Sequence, residues 1–119
     1  MTASKRKPAS AKPPAYRLAF QDAALAEWEK LDGSIKEPLR RLLKKRLEAP
    51  RVKGAELHGA LVDCYKIRLR AQGFRLIYQV QDQHLIVLVI SVGKRDKNAV
   101  YEAAIKRLKK LTAPSAGGE

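Results

Sequence analysis

Residues 63–80 read DCYKIRLRAQGFRLIYQV, and their alternation decides the fold. Within residues 64–70, Tyr65, Ile67 and Leu69 take one side while Lys66, Arg68 and Arg70 take the other. That two-residue period is the signature of a half-buried strand. Ala71, Gln72 and Gly73 supply a hairpin turn. Residues 74–80 then place Phe74, Leu76 and Tyr78 on one side and Arg75 on the other. A sheet grown from this hairpin has an apolar face and a cationic one. After a second turn at Gln81, Asp82 and Gln83, residues 85–92 (LIVLVISV) are apolar at almost every position, as a central strand covered on both faces requires.

Toward the N-terminus the period changes to 3.6. Residues 16–20 fit a short strand, and Asp22 offers a cap for a helix carrying Leu25, Trp28 and Leu31, closed by Asp32 and Gly33. Ser34 with Glu37 forms a capping-box pattern for a second helix, whose apolar face holds Ile35, Leu39, Leu42, Leu43 and Leu47. Pro38 falls in its first turn, where proline is tolerated, and Pro50 ends it. Beyond the central strand and the loop at 93–97, a last helix spans about 98–111, with Val100, Ala104, Leu108 and Leu111 as its buried stripe. The expected fold is a small single α+β domain. It has a mostly antiparallel four-stranded sheet, two N-terminal helices and a C-terminal helix. Residues 1–15 and 112–119 are rich in Pro, Ala, Ser, Gly and Lys and read as disordered tails, leaving residues 16–111 as the folded unit.

Charge narrows the function. The 119 residues carry 25 Lys+Arg against 12 Asp+Glu, net +13. Solubility needs only about 2–8 units in a small domain, so the surplus points to a polyanionic partner. Cys64 is the one cysteine, which excludes an internal disulfide and a cysteine-based zinc cluster and suits a reducing cytoplasm. No apolar run reaches the roughly 20 residues that span a bilayer, and the basic N-terminus lacks the apolar region of a secretory signal. The expected location is the cytoplasm, with no membrane partner.

The second helix carries Lys36, Arg40, Arg41, Lys44 and Lys45 outward, with Arg46 at the edge. This face is either simply solvated or a docking surface for a phosphate backbone. The strand cations are more specific. Lys66, Arg68 and Arg70 share one sheet face with no acidic member, Arg75 joins them across the hairpin, and Lys94 and Arg95 leave the end of the central strand. Such a platform is either a solvated sheet face or an anion-binding one, and the missing acidic member favours the second, since solvated faces usually mix signs. Hydrolase parts are otherwise missing: His58 and His84 are the only histidines, and no metal-ligand, paired-carboxylate or glycine-rich phosphate motif appears. No metal and no cofactor is expected. RNA can still be cut by such a site, because its 2′-hydroxyl is a built-in nucleophile. The protein has to align the attack, offset charge on the phosphorane and move protons.

Residues 63–80, followed by VISVGKRDKNAVY at 89–101, closely resemble the RelE family of bacterial and archaeal toxins, and the likeness runs from about Tyr16 to Leu108. The resemblance implies a compact α+β toxin of a type II toxin–antitoxin system, a metal-independent endoribonuclease that enters the ribosomal A site and cleaves mRNA there. It also implies a cognate RelB-like antitoxin, acidic and partly disordered, that wraps the toxin. It assigns Lys66 to activation of the 2′-hydroxyl or support of the phosphorane, Arg75 to the phosphorane, Arg95 to the leaving 5′-oxygen and Tyr101 to stacking or orienting the substrate. Arg68 stands where many members have a second lysine. Arginine is effectively always protonated and is a poor base, so its expected role is electrostatic. Lys36, Arg40, Arg41, Lys44, Lys45, Arg70 and Lys94 are the expected contacts to ribosomal or messenger RNA. Two rivals remain: a same-fold inhibitor of a protein target such as gyrase, which generally lacks the Lys/Arg/Tyr set, and a non-catalytic RNA-binding module.

Overall fold

The computed structural model describes residues 15–95 and 98–112. Strand β1 (Arg17–Phe20) leads into helices α1 (Asp22–Glu29) and α2 (Gly33–Glu48). A single 3-10 turn (Gly59–Leu61) precedes β2 (Cys64–Leu69), β3 (Phe74–Gln81) and β4 (Ile86–Lys94), and α3 (Ala99–Thr112) closes the chain. The strands form one sheet in the order β1-β4-β3-β2. β2, β3 and β4 are antiparallel neighbours, while β1 lies parallel to β4, so the sheet is mixed. Between β1 and β4 the chain runs through α1, α2 and the β2–β3 hairpin, the kind of long connection that a parallel pair requires.

The sheet separates two apolar layers. On one face, Ala24 and Trp28 of α1 and Ile35, Leu39 and Leu43 of α2 pack on Tyr65, Ile67, Leu69, Leu76, Tyr78, Val80, Val87, Val89 and Val92. On the other, Val100, Ala104 and Leu108 of α3 pack on Leu61, Cys64, Ile77 and Ile90. Burying each of Ile35, Leu39 and Leu43 contributes about 1.5–3 kcal/mol. Each like-charged pair on the outer face of α2 costs roughly a few tenths of a kcal/mol. Burial wins, so α2 tolerates its row of cations.

A bulge sets what the central strand offers to each face. Ile77 pairs with Ser91 and Tyr78 with Val89, leaving Ile90 as an extra residue in β4. Ile90 therefore joins the α3 layer, and Ser91, the one buried polar residue among those described at 1% exposed, turns to the same helix. Its Oγ donates to the Val100 carbonyl at 2.8 Å.

Three local expectations are corrected. Gln21, not Asp22, caps α1, its side chain accepting from the Ala24 amide at 3.0 Å. Asp32, not Ser34, caps α2, accepting from the Ser34 amide at 3.1 Å. Glu37 is thereby free of the cap and pairs with Arg40 instead, at 2.6 Å. Leu85 belongs to the turn before β4, at φ 54°, and the strand runs on to Lys94. The tails expected at either end lie largely outside the described residues, as does the side chain of Leu111.

Candidate active site

α3 covers only part of its sheet face, and the strand cations occupy the remainder. In β2, Lys66 lies opposite Ile77 and Arg68 lies directly opposite Arg75 of β3. Lys66 and Arg75 are half-buried, whereas Arg68 and Arg70 are exposed. Cross-strand like charges are unfavourable, so this arrangement is held by the apolar face beneath it and by the hairpin turn, where the Gly73 amide donates to the Leu69 carbonyl at 2.8 Å. Gly73 adopts φ 73°, a conformation glycine accepts without cost.

Partial burial lowers the pKa of the Lys66 ammonium, and the positive charges of Arg68, Arg75 and Arg70 lower it further. A lysine with easier access to its neutral form can take a proton. Arg75 is fixed differently. Its guanidinium lies over the ring of Tyr101 at 5.0 Å from the centroid, within the range of a cation–π contact. Its Nε is buried and has no hydrogen-bond partner. Buried donors are normally satisfied, but that hydrogen is a donor for which the described residues supply no acceptor. Tyr101 itself sits in the first turn of α3, half-buried against the second apolar layer.

Arg95 follows β4 and is exposed, and its amide donates to the Gly73 carbonyl at 2.7 Å. That bond seats it beside the β2–β3 turn. Lys94 is exposed opposite Phe74 at the same end of the sheet. The structure thus brings Lys66, Arg68, Arg75, Tyr101 and Arg95 to one end of the α3 side of the sheet, with Arg70 just past the end of β2, while Lys94, opposite Phe74, lies at the same end on the other face.

The cations of α2 are not part of this gathering. α2 packs on the opposite sheet face, so Arg41, Lys44 and Lys45 are exposed on the far side of the molecule. Lys36 is half-buried, and Arg40 is occupied by Glu37 and by the Trp28 ring at 5.8 Å. Arg46 was expected at the edge of that face, but it turns inward. Its Nη1 donates to the Tyr78 hydroxyl at 2.8 Å and to the Lys66 carbonyl at 3.2 Å. Together with Gly54, Ala55, Lys66, Arg68 and Arg70 it lines a cavity of about 200 Å³ at the β2 edge.

Sequence reasoning also missed how the acidic residues are spent. Asp63 and Asp82 converge on Arg51, at 3.1 and 2.7 Å, and Tyr16 donates to Asp82, so these carboxylates serve an ion network. His58 and His84 are exposed. Burial pushes the Cys64 thiol up to about 12, leaving it inert as a nucleophile. Among the described residues, no three His, Cys, Asp or Glu side chains gather in a way that could hold a metal ion, and no helix is long and apolar enough to cross a membrane.

Comparison with known proteins agrees with this fold. Residues 18–99 match the family model described as the ParE toxin of the type II toxin–antitoxin system parDE. The chain is 49% identical over 94 residues to the mRNA interferase toxin RelE of Escherichia coli (strain K12), covering 79% of this chain and 98% of that protein. The mRNA interferase RelE of Shigella flexneri is equally similar, 49% over 94 residues, with the same 79% and 98% coverage. Among solved structures, a double mutant of the E. coli toxin RelE in the free state superposes with a TM-score of 0.73 at 47% identity, covering 80% of this chain and 99% of that one. The toxin of the intact E. coli RelBE toxin–antitoxin complex gives 0.66 at 48% identity, covering 70% and 100%. The chain belongs to the RelE family of toxins, within the wider ParE toxin family.

Proposed function

We propose that this protein is the toxin of a type II toxin–antitoxin system, an endoribonuclease that cleaves mRNA in the ribosomal A site and so inhibits translation in the cytoplasm. The observation that carries this reading is the Arg75 guanidinium, laid on Tyr101 with a buried, unpartnered Nε, on the same sheet face as a lysine whose pKa is lowered. A same-fold inhibitor of a protein target has no use for that combination.

The reaction uses the substrate's own nucleophile. Neutral Lys66 takes the proton of the 2′-hydroxyl, whose oxygen attacks the adjacent phosphorus. The new P–O2′ bond forms as the P–O5′ bond breaks, leaving a 2′,3′-cyclic phosphate and a 5′-hydroxyl. Arg75 and Arg68 offset the charge that accumulates on the phosphorane, Arg75 through its forked donors. A leaving alkoxide is more basic than a guanidine, so Arg95 can hand it a proton downhill. Tyr101 keeps Arg75 in place and offers an edge for stacking on a base. Every step is supplied by a side chain or by the RNA. Lys36, Arg40, Arg41, Lys44 and Lys45 dock the other side of the protein on ribosomal RNA, and Arg70 and Lys94 extend the platform along the messenger.

A protein of net +13 needs an acidic partner when it is held inactive. A RelB-like antitoxin, acidic and partly disordered, fills that role. The direct test of the chemistry is an mRNA on programmed ribosomes with a 2′-deoxy nucleotide on the 5′ side of the cut. Cleavage should stop at that position and continue on the all-ribose message, yielding a cyclic phosphate end. Cutting of the deoxy message would contradict the mechanism.

A further inference from the structure

β1 is too short to cover all of β4. Their pairing ends at Phe20 and Val89, so the outer edge of β4 is open beyond that point. Two side chains close it. Arg107 of α3 donates from Nη1 to the Ile90 carbonyl at 2.9 Å, and the Val92 amide donates to Oε1 of Glu27 in α1 at 3.2 Å. The same two side chains grip each other in a fork, at 2.8 Å between Arg107 Nη1 and Glu27 Oε1 and 2.9 Å between Nη2 and Oε2. Their side chains are 18% and 33% exposed, so water screens the pair only in part. Residues 80 positions apart thus join α1, β4 and α3 at one point.

The clasp bears on the active site through α3. Tyr101 has its ring over Arg75 only while α3 keeps its position and direction. Among the described residues, the near end of the helix is tied by the bond from Ser91 to the Val100 carbonyl. A polar tie at one end alone leaves a helix able to pivot on its apolar neighbours. Arg107 lies six residues past Tyr101, about 9 Å along the axis, and supplies a further fixed point. The tolerance is small: the ring sits 5.0 Å from the Arg75 carbon, and the cation–π attraction fades beyond roughly 6 Å.

We propose that Glu27 and Arg107 form a positioning pair that orients α3 so that Tyr101 holds Arg75 in its working geometry. The proposal rests on the reading of Arg75 and Tyr101 as site residues. It is tested by single-turnover cleavage on programmed ribosomes with the wild type, Arg107→Met, Tyr101→Ala and the double variant. Arg107→Met should slow cleavage about ten- to a hundredfold, the scale of a misplacement near 1 Å, with KM nearly unchanged. Arg107→Lys, which still faces Glu27 with a cation, should recover part of that loss. In the Tyr101→Ala background the Arg107 substitution should add nothing, because the group it positions is gone. Equal slowing in both backgrounds, no slowing, or an effect on KM alone would overturn the proposal. A Tyr101→Ala protein that cleaves at the wild-type rate would instead remove Tyr101 from the site, and the proposal with it. Should Arg107→Met fail to fold, Glu27→Gln, which keeps an acceptor for the Val92 amide, carries the same cycle.

Discussion

Lys66 and Arg68 stand two residues apart on one strand, and their chemistry differs because an ammonium gives up its proton far more readily than a guanidinium. Lys66 has its pKa lowered first by burial and then by Arg68, Arg75 and Arg70. Replacing Arg68 by Gln removes one repelling charge, so the ammonium becomes easier to keep and its pKa rises. If neutral Lys66 is the base, the rising limb of the cleavage rate against pH moves to higher pH in Arg68→Gln. Lys66→Arg should lose that limb and most of the rate. An unshifted profile in Arg68→Gln would place the base elsewhere. A second residue-scale prediction concerns Leu85, 38% exposed and held at φ 54°. A left-handed conformation costs a branched side chain about 1–2 kcal/mol. Leu85→Gly removes that strain but gives up the side chain's remaining burial, so it should raise the denaturant midpoint by less than the equivalent of roughly 1 kcal/mol. A lowered midpoint would show that Leu85 packs more than it strains.

At the scale of elements, α2 is tied to the hairpin by a buried hydroxyl. Tyr78 donates to the Pro50 carbonyl at 2.6 Å and accepts from Arg46, whose guanidinium also lies 5.7 Å from its ring. Tyr78→Phe strands the Pro50 carbonyl, leaves Arg46 with the Lys66 carbonyl alone, and should cost about 1–3 kcal/mol in equilibrium unfolding, with cleavage at the site retained. A neutral result would mean that water replaces the hydroxyl. The hairpin itself was legible, since period-two alternation in residues 64–80 specifies both which residues face the core and which form the cationic face. The ties between elements were not legible. Arg46 reads as one more cation on a basic helix, and only the position of β2 makes inward rotation favourable. The pairing of Glu27 with Arg107 has no signal in the sequence, because nothing local announces that β1 stops short and leaves an edge to be closed. The bulge at Ile90 and the parallel pairing of β1 are likewise set by partners far along the chain. The missed caps at Gln21 and Asp32 are smaller errors of one or two residues, where several side chains of similar capping ability stand side by side.

Across the whole molecule, positive charge is divided between two sides of the sheet. The platform of Lys66, Arg68 and Arg75 faces the messenger in the proposed reading, and the α2 cations face away from it. Substituting Arg41, Lys44 and Lys45 by Gln should therefore weaken binding to ribosomes while leaving the single-turnover cleavage rate near that of the wild type. The salt dependence of binding should flatten by roughly 0.7–0.9 units of log K per log salt for each phosphate that the protein ceases to neutralise. A fall in the single-turnover rate with binding intact would mean that the two faces act as one site. The net charge of +13 made a polyanionic partner legible from composition, whereas the division of that charge needed the sheet.

The most direct test of the central claim is cleavage of a defined mRNA by purified protein, with and without programmed bacterial ribosomes, comparing the wild type with Arg75→Ala and adding EDTA late enough to leave the ribosomes assembled. Cutting within the A-site codon should survive chelation and fall about a hundred- to a thousandfold in Arg75→Ala, the scale for losing one preorganised donor to a developing oxyanion. Cutting by Arg75→Ala at the wild-type rate, or no cutting by the wild type under any condition, would contradict the central claim.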